Sequence, residues 1–387
     1  ERVIAVTPTY VKQCFIISQV EICNVMRRKI VLLIVAILIC VVSILGTFLL
    51  TIQNQVGPYQ FTPFVTLYPC LWHPNLTHSA YYQNQTPKYQ DAFTADLQTA
   101  KNMGFKGIRL INDMYLYDDG NLGWALDEIG KKNLRCMIAF FWFDRTYKRP
   151  YPKVAWRMDG FPDNSTQTDA YCEYLENVTK IVKDKKAMHS YNIIYPFNSS
   201  TGDERNKWHD KIKSESYKTE MQRMIDSIRK YDTSHPVYLS LGLWATFPYD
   251  WYDDAPYDFE GYDGLGIHHY TTEPNCADTG QIDMFLQYFK KKGFGLGCGE
   301  KYIFIDEWGI QTNSTALPKV MVHASTEEIK TRMIEEYVKY FWDKPFIWCY
   351  FGLHDYIPEK ATFGLVEFDN NELKLSGKKM KELLTGG

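Results

Sequence analysis

The stretch YIFIDEWG, residues 302–309, decides how the rest of the chain reads. A short run that is apolar on both faces leads straight into two consecutive carboxylates, a tryptophan and a glycine. A strand with one wet face would alternate apolar and polar residues. A run without that alternation reads as a parallel strand covered on both sides. Asp306 and Glu307 then stand at its C-terminal end.

Working outward, the same grammar repeats. FTPFVTLY (61–68), GIRLI (107–111), RCMIAFFWF (135–143), YNIIYPF (191–197), PVYLSLGLWA (236–245), YDGLGIHHY (262–270) and FIWCYFG (346–352) are further strand-like runs. Amphipathic stretches with helical period fall between most of them, near 89–103, 121–132, 168–185, 210–230, 279–291 and 326–342, with a last one near 371–384. An irregular acidic and aromatic connection follows 236–245. Eight such strands alternating with helices over about 325 residues predict a (β/α)8 barrel with insertions. A doubly wound open sheet is the alternative, but no glycine-rich turn follows the first strand to hold a nucleotide phosphate.

A barrel of this kind builds its site at the C-terminal ends of its strands. Those ends carry Trp72 and His73, Arg109 to Asp113, Trp142 to Arg145, Tyr195 to Asn198, Trp244, His268 to Tyr270, Asp306 to Trp308, and Trp348 to His354. Aromatic rings stack on the C–H faces of sugars, while carboxylates act on the glycosidic bond. Asp113, Trp142 and Trp244 are candidate lining residues. A nucleophilic carboxylate must stay ionised, which a neighbouring Arg and a Tyr hydroxyl favour.

The segments MGFKGIRL (103–110), IHHY (267–270), IFIDEWG (303–309), FIWCYFG (346–352) and FGLVEFDNNELKLSGKKMKELL (363–384) resemble the clan A retaining glycoside hydrolases, nearest to the family 5 cellulase and mannanase group. The resemblance covers most of residues 60–385 through short motifs that are moderately specific only as an ordered set. It implies that Glu307 is the nucleophile and that Arg109 orients it. It also implies that His268 and Tyr270 form the sixth-strand His-x-Tyr, and that Trp348 lies under the bound sugar. One departure is serious. The family's acid/base is the Glu of an Asn-Glu pair ending strand four, and YNIIYPFNSS has no such pair. Retaining hydrolysis needs a second carboxyl about 5–5.5 Å from the nucleophile. Asp203 and Glu204, on the following loop, are the nearest candidates.

Plainer readings stand beside these. Glu307 could be a solvated strand end, Arg109 a structural ion-pair partner, and His268 or His269 a core histidine. Trp348 taken alone reads as core, and Asp203 and Glu204 sit in the charged run DERNKWHD, by default a solvated face. The expectation is retaining hydrolysis of β-linked poly- or oligosaccharides, with no metal or organic cofactor. The alternative is a catalytically inactive carbohydrate-binding or envelope-structural barrel. Deacetylation is a third option, but no Ser/His/Asp or metal motif stands out.

Composition narrows the classes further. The 387 residues are 45% apolar and 16% aromatic, which excludes a disordered chain. With 43 basic against 46 acidic side chains and no long basic run, nucleic acid is not an expected partner. Residues 30–50, IVLLIVAILICVVSILGTFLL, carry no charge and are long enough to cross a bilayer. Arg27, Arg28 and Lys29 precede them, and no Lys or Arg follows until Lys88, which predicts a cytoplasmic N-terminus and an exterior domain.

A cleaved signal peptide fits less well, because the run is long and Ser43, Gly46 and Thr47 make a poor cleavage site. The expected organisation is 1–29 cytoplasmic, 30–50 transmembrane anchor, 51–59 linker, and 60–387 exterior barrel at the cell membrane. The residues before Met26 are assigned no function. Sequons at Asn75, Asn84, Asn164, Asn177, Asn198 and Asn313 all follow the span, as a glycoprotein ectodomain would have them. Cys276 and Cys298 would flank a helix roughly 20 Å long. Bridged Cα atoms sit under about 7 Å apart, so this pair is expected to stay unbonded.

Overall fold

The structure is a computed structural model that describes residues 62–67, 86–111, 120–140, 165–195, 213–243, 257–271, 273–296, 301–312, 323–355, 362–367 and 372–386. The strands in chain order are β1 (Thr62–Leu67), β2 (Gly107–Ile111), β3 (Arg135–Phe140), β4 (Met188–Tyr195), β5 (Val237–Leu243), β6 (Gly264–His269), β7 (Gly295–Leu296), β8 (Tyr302–Trp308) and β9 (Ile347–Tyr350). All pair in parallel, in the order β6-β5-β4-β3-β2-β1-β9-β8, and β6 also pairs with β8. That last pairing closes the sheet into an eight-stranded barrel. The two-residue β7 lies outside the ring, against the start of β8. Its glycine-rich surroundings, GFGLG, hid it from the sequence reading.

Helices cover the outside: α1 (Thr86–Asn102), α2 (Leu122–Lys131), α3 (Ser165–Val182), α4 (Glu215–Arg229), α5 (Thr279–Lys291), α6 (Glu327–Phe341) and α7 (Leu375–Thr385). Each forms where apolar residues recur every three to four positions. On α4 the buried face is Tyr217, Met221, Met224, Ile225 and Ile228. Its N-cap Ser214 accepts from the Tyr217 amide at 3.2 Å, which sets the start of the helix. Thr326 and Asp278 cap α6 and α5 in the same way.

Two cores result. The barrel interior is filled at its N-terminal end by the Phe64, Tyr238, Tyr302 and Phe304 rings. Gly107 faces them because a Cβ there would lie 2.3 Å from the Phe64 ring. One layer up, the interior turns polar, with Thr66, Arg109, Asn192, Ser240 and Asp306 all fully buried. The second core lies between barrel and helices, where Trp308 packs on Tyr337 and Phe341 of α6 with ring centroids 5.1 and 5.4 Å apart.

Among the described residues, no helix is long and apolar enough to cross a membrane, and the run 30–50 lies outside them. Cys276 is an exposed free thiol, while Cys298 lies outside the described residues. Of the sequons only Asn177 is described, half-buried on α3 with its side-chain oxygen accepting from Lys180 at 3.3 Å.

Candidate active site

Four of the residues named from sequence meet at one end of the barrel. Glu307, near the C-terminal end of β8, is 5% exposed. Its Oε2 accepts from Arg109 Nη1 of β2 at 2.6 Å, and its Oε1 accepts from the Tyr270 hydroxyl at 2.5 Å. His268 of β6 stands alongside, its Nε2 3.7 Å from Glu307 Oε2. The barrel's curvature brings together side chains that are far apart in sequence.

Consecutive strand residues normally point to opposite faces. Here Asp306 and Glu307 both reach the interior polar layer. The pairing shifts register between Gly266 and His268 on β6, and between Ile305 and Trp308 against β9. Such a bulge re-aims a side chain beside a site. Gly266 makes room for the result, since a Cβ there would lie 2.3 Å from Asp306 Cγ.

Asp306 is fully buried beneath Glu307. Its Oδ2 accepts from Asn192 Nδ2 at 3.1 Å and from the Ser240 hydroxyl, and lies 3.6 Å from His268 Nε2. Asn192 Oδ1 in turn accepts from Arg109 Nη2 at 3.2 Å. Ser240 has one proton and gives it to the carboxylate, so its oxygen accepts from His268 Nε2–H at 2.6 Å. Arg109 Nη2 and His268 Nε2 are then both donors, and their 3.5 Å approach is a contact rather than a hydrogen bond.

The charges balance. Burial works against a charged His268, but the Glu307 and Asp306 carboxylates outweigh it and raise its pKa above the usual imidazole value. Burial likewise pushes Asp306 up, yet His268, Arg109 and Ser240 hold it below the usual carboxylate value. Arg109, His268, Asp306 and Glu307 thus share one largely buried site. Below them Thr66 contacts Cys349 Sγ at 3.2 Å, and burial pushes that thiol up to about 12, leaving it unreactive.

Other residues named from sequence fall elsewhere. Trp348 is fully buried and faces the helices, stacked on Phe341 at 5.6 Å and packed on Phe105 and Trp308. Its register partners, Pro63 and Ile305, place it on the outer face of the barrel. The expectation that it underlies a sugar is therefore corrected, because a ring walled in by helix α6 meets no ligand. His269 is the core histidine, bonded to the Tyr337 hydroxyl at 2.9 Å. Asp113, Trp142, Asp203, Glu204 and Trp244 lie outside the described residues.

Sequence reasoning missed Asn192, Ser240 and Asp306 as partners. Each is a polar residue inside a strand that is otherwise apolar, and that was the available signal. Ser240, His268 and Asp306 do meet, yet not as a hydrolytic triad. A triad carboxylate holds the imidazole nitrogen remote from the serine. Here Asp306 and Ser240 share the same nitrogen, and the hydroxyl is fully buried. Among the described residues no group of His, Cys, Asp or Glu side chains could hold a metal ion.

A closed parallel barrel with polar residues at its C-terminal mouth defines a TIM-barrel protein, the fold used by many glycoside hydrolases. The comparisons agree at that level. The chain superposes on β-D-glucuronidase from Dictyoglomus thermophilum with a TM-score of 0.54 at 13% identity, covering 85% of this chain and 51% of that one. It matches Bacteroides uniformis β-glucuronidase with a TM-score of 0.55 at 13% identity, over 84% of this chain and 35% of that one. The virulence factor SghA from Agrobacterium tumefaciens gives a TM-score of 0.57 at 13% identity, over 86% of this chain and 98% of that one. The chain thus spans about half or less of the two glucuronidases and nearly all of SghA. No protein-family model matches the sequence, and no curated protein sequence matches it either.

Proposed function

We propose that the chain is a glycoside hydrolase that cleaves β-linked poly- or oligosaccharides with retention, using Glu307 as nucleophile. One observation carries the reading: a carboxylate at the mouth of the barrel, gripped by a buried guanidinium at 2.6 Å and a tyrosine hydroxyl at 2.5 Å, yet still 5% exposed. Arg109 pairs with Glu307 and fixes one oxygen. The bond from Tyr270 fixes the other, so the carboxylate cannot rotate away from an anomeric carbon. Attack at that carbon expels the aglycone oxygen and leaves a glycosyl ester on Glu307, which water then hydrolyses. The resemblance to clan A and the glucuronidase activity of two structural neighbours point the same way.

The leaving oxygen needs a proton, and Asp306 cannot deliver it because it is fully buried and hydrogen-bonded to Asn192 and Ser240. Asp203 and Glu204 are the proposed sources. The missing Asn-Glu pair favours a second reading, a barrel that binds carbohydrate without cleaving it. We further propose the membrane-anchored, exterior and glycosylated setting suggested by residues 27–50 and the sequons. Glu307→Gln distinguishes the readings. The account expects hydrolysis of 4-nitrophenyl β-glycosides by the native chain and at least a thousandfold loss (order of magnitude) in the variant. Equal turnover by both would remove Glu307 from the mechanism.

A further inference from the structure

A buried lysine that the reaction above does not use is joined to Tyr270 through one short segment. Lys330, in the first turn of α6, is fully buried. Lysine is almost never fully buried without a partner, and a cation there sits at the unfavourable, positive end of the helix. Glu327 Oε2 is 3.9 Å away, beyond hydrogen-bond reach. Lys330 meets three consecutive backbone carbonyls instead. Its Nζ donates to Thr362 O at 3.1 Å, to Phe363 O at 3.1 Å and to Gly364 O at 2.8 Å. An ammonium has three protons, so all three are placed. Burial pushes its pKa down to about 8, which leaves it mainly protonated at neutral pH.

The segment is held from other sides as well. The Tyr350 hydroxyl of β9 donates to Phe363 O at 2.8 Å, and the Gly364 amide donates to Asp355 Oδ1 at 2.7 Å. Gly364 lies so close to the 354–355 backbone that a Cβ there would come within 2.4 Å of the Asp355 nitrogen. Between these anchors the Phe363 ring is buried, its centroid 5.7 Å from Tyr270 and 5.1 Å from Phe351. Phe351 packs on Tyr270 at 6.0 Å, so the three rings are in mutual contact. The phenol they hold is the one whose hydroxyl donates to Glu307 Oε1. That oxygen stands at the far end of its ring, so a small tilt swings it off the carboxylate.

We propose that Lys330 is a positioning residue for the glycosidase reaction: by fixing the carbonyls of 362–364 it sets the Phe363 ring, which holds Tyr270 on Glu307. The assignment rests on the glycoside reading above, in which Glu307 is the nucleophile. Without the ammonium the three carbonyls lose their shared donor and the segment shifts. The cost then falls on the chemical step rather than on substrate binding, about three- to tenfold in rate for a loosened aim of this kind. A lysine that only held the fold together would lower the melting temperature and leave kcat alone.

The test is a double-mutant cycle on turnover. The native chain is assayed with 4-nitrophenyl β-D-glucoside, β-D-mannoside and β-D-glucuronide, and the fastest substrate is carried forward. Lys330→Met keeps the aliphatic stem and removes the donors. At a temperature where circular dichroism shows the variant folded, kcat should fall about three- to tenfold with KM changed by less than about twofold. In the Tyr270→Phe background the same substitution should change kcat by less than about twofold, because the hydroxyl it aims is gone. Lys330→Gln, whose amide still donates to carbonyls, should recover part of the loss, and it replaces Lys330→Met in the cycle if that variant does not fold. An unchanged kcat in the single variant, or equal losses in both backgrounds, overturns the proposal while leaving the glycoside reading standing. Absence of turnover of all three glycosides by the native chain overturns that reading, and this assignment with it.

Discussion

At the residue scale, the site is a buried polar cluster in which Arg109 pairs with Asp306 and Glu307, and His268 stands beside both carboxylates. Breaking such a set leaves uncompensated charge in a dry interior. Arg109→Met should therefore cost about 3–5 kcal/mol of stability, measured by urea unfolding; a cost under 1 kcal/mol would mean that water reaches the carboxylates. Tyr270→Phe keeps the ring packing with Phe351 and Phe363 and removes the hydroxyl that donates to Glu307 Oε1. It should lower kcat/KM about tenfold or more with little change in melting temperature. An unaltered kcat/KM would show that the hydroxyl does not position the nucleophile. Glu307, Arg109, His268 and Tyr270 were legible as strand-end residues. Trp348 misled because neighbouring residues on a strand face opposite ways, and the register shifts that decide inside from outside leave no mark in the sequence.

At the element scale, the β6–β8 seam is the critical joint. Gly266 lies against a carboxylate that Ser240 and Asn192 pin in place, so the obstacle to an added methyl is not a flexible side-chain end. Gly266→Ala should cost about 1–3 kcal/mol and distort the carboxylate pair, seen as a fall in melting temperature together with activity. Full retention of both would mean that the seam relaxes freely. Strands were legible by their lack of alternation and helices by their period, with ends differing by a few residues. The fourth strand begins at Met188 rather than 191 because Met188 and Ser190 pair with Cys136 and Met137 of β3, although the stretch does not read as an apolar run. The β7 bridge escaped notice because two residues carry no periodicity.

At the scale of the whole molecule, closure through β6 and β8 was legible only as a count of alternating elements, since pairing between distant strands has no local signature. Closure also buries neutral histidines, His269 against Tyr337 of α6 and His323 against Tyr270 and Phe363. Burial holds His269 down to about 3 and His323 to about 4, against about 6.5 when unfolded. Their stabilising contribution is complete above pH 6.5 and is lost as pH falls below it, because the unfolded chain binds protons that the folded one refuses. Asp306, held low, adds a loss of the same sign at more acid pH. His268, raised, acts oppositely, contributing below about pH 6.5 and losing its effect as pH rises through its folded value. His189 is likewise held down to about 3 by burial, so three histidines of this sign stand against one of the other, and the melting temperature should drop between pH 7 and 4.5. A rise over that interval would contradict the assignment.

Covalent trapping of the nucleophile bears most directly on the account. A 2,4-dinitrophenyl 2-deoxy-2-fluoro-β-glycoside has a leaving group that departs without a proton, so the outcome does not depend on the acid. Peptide mass mapping after incubation should find the fluorosugar esterified to Glu307, and absent from Glu307→Gln protein. A label on another carboxylate, or turnover that inverts the anomeric centre, would contradict the account.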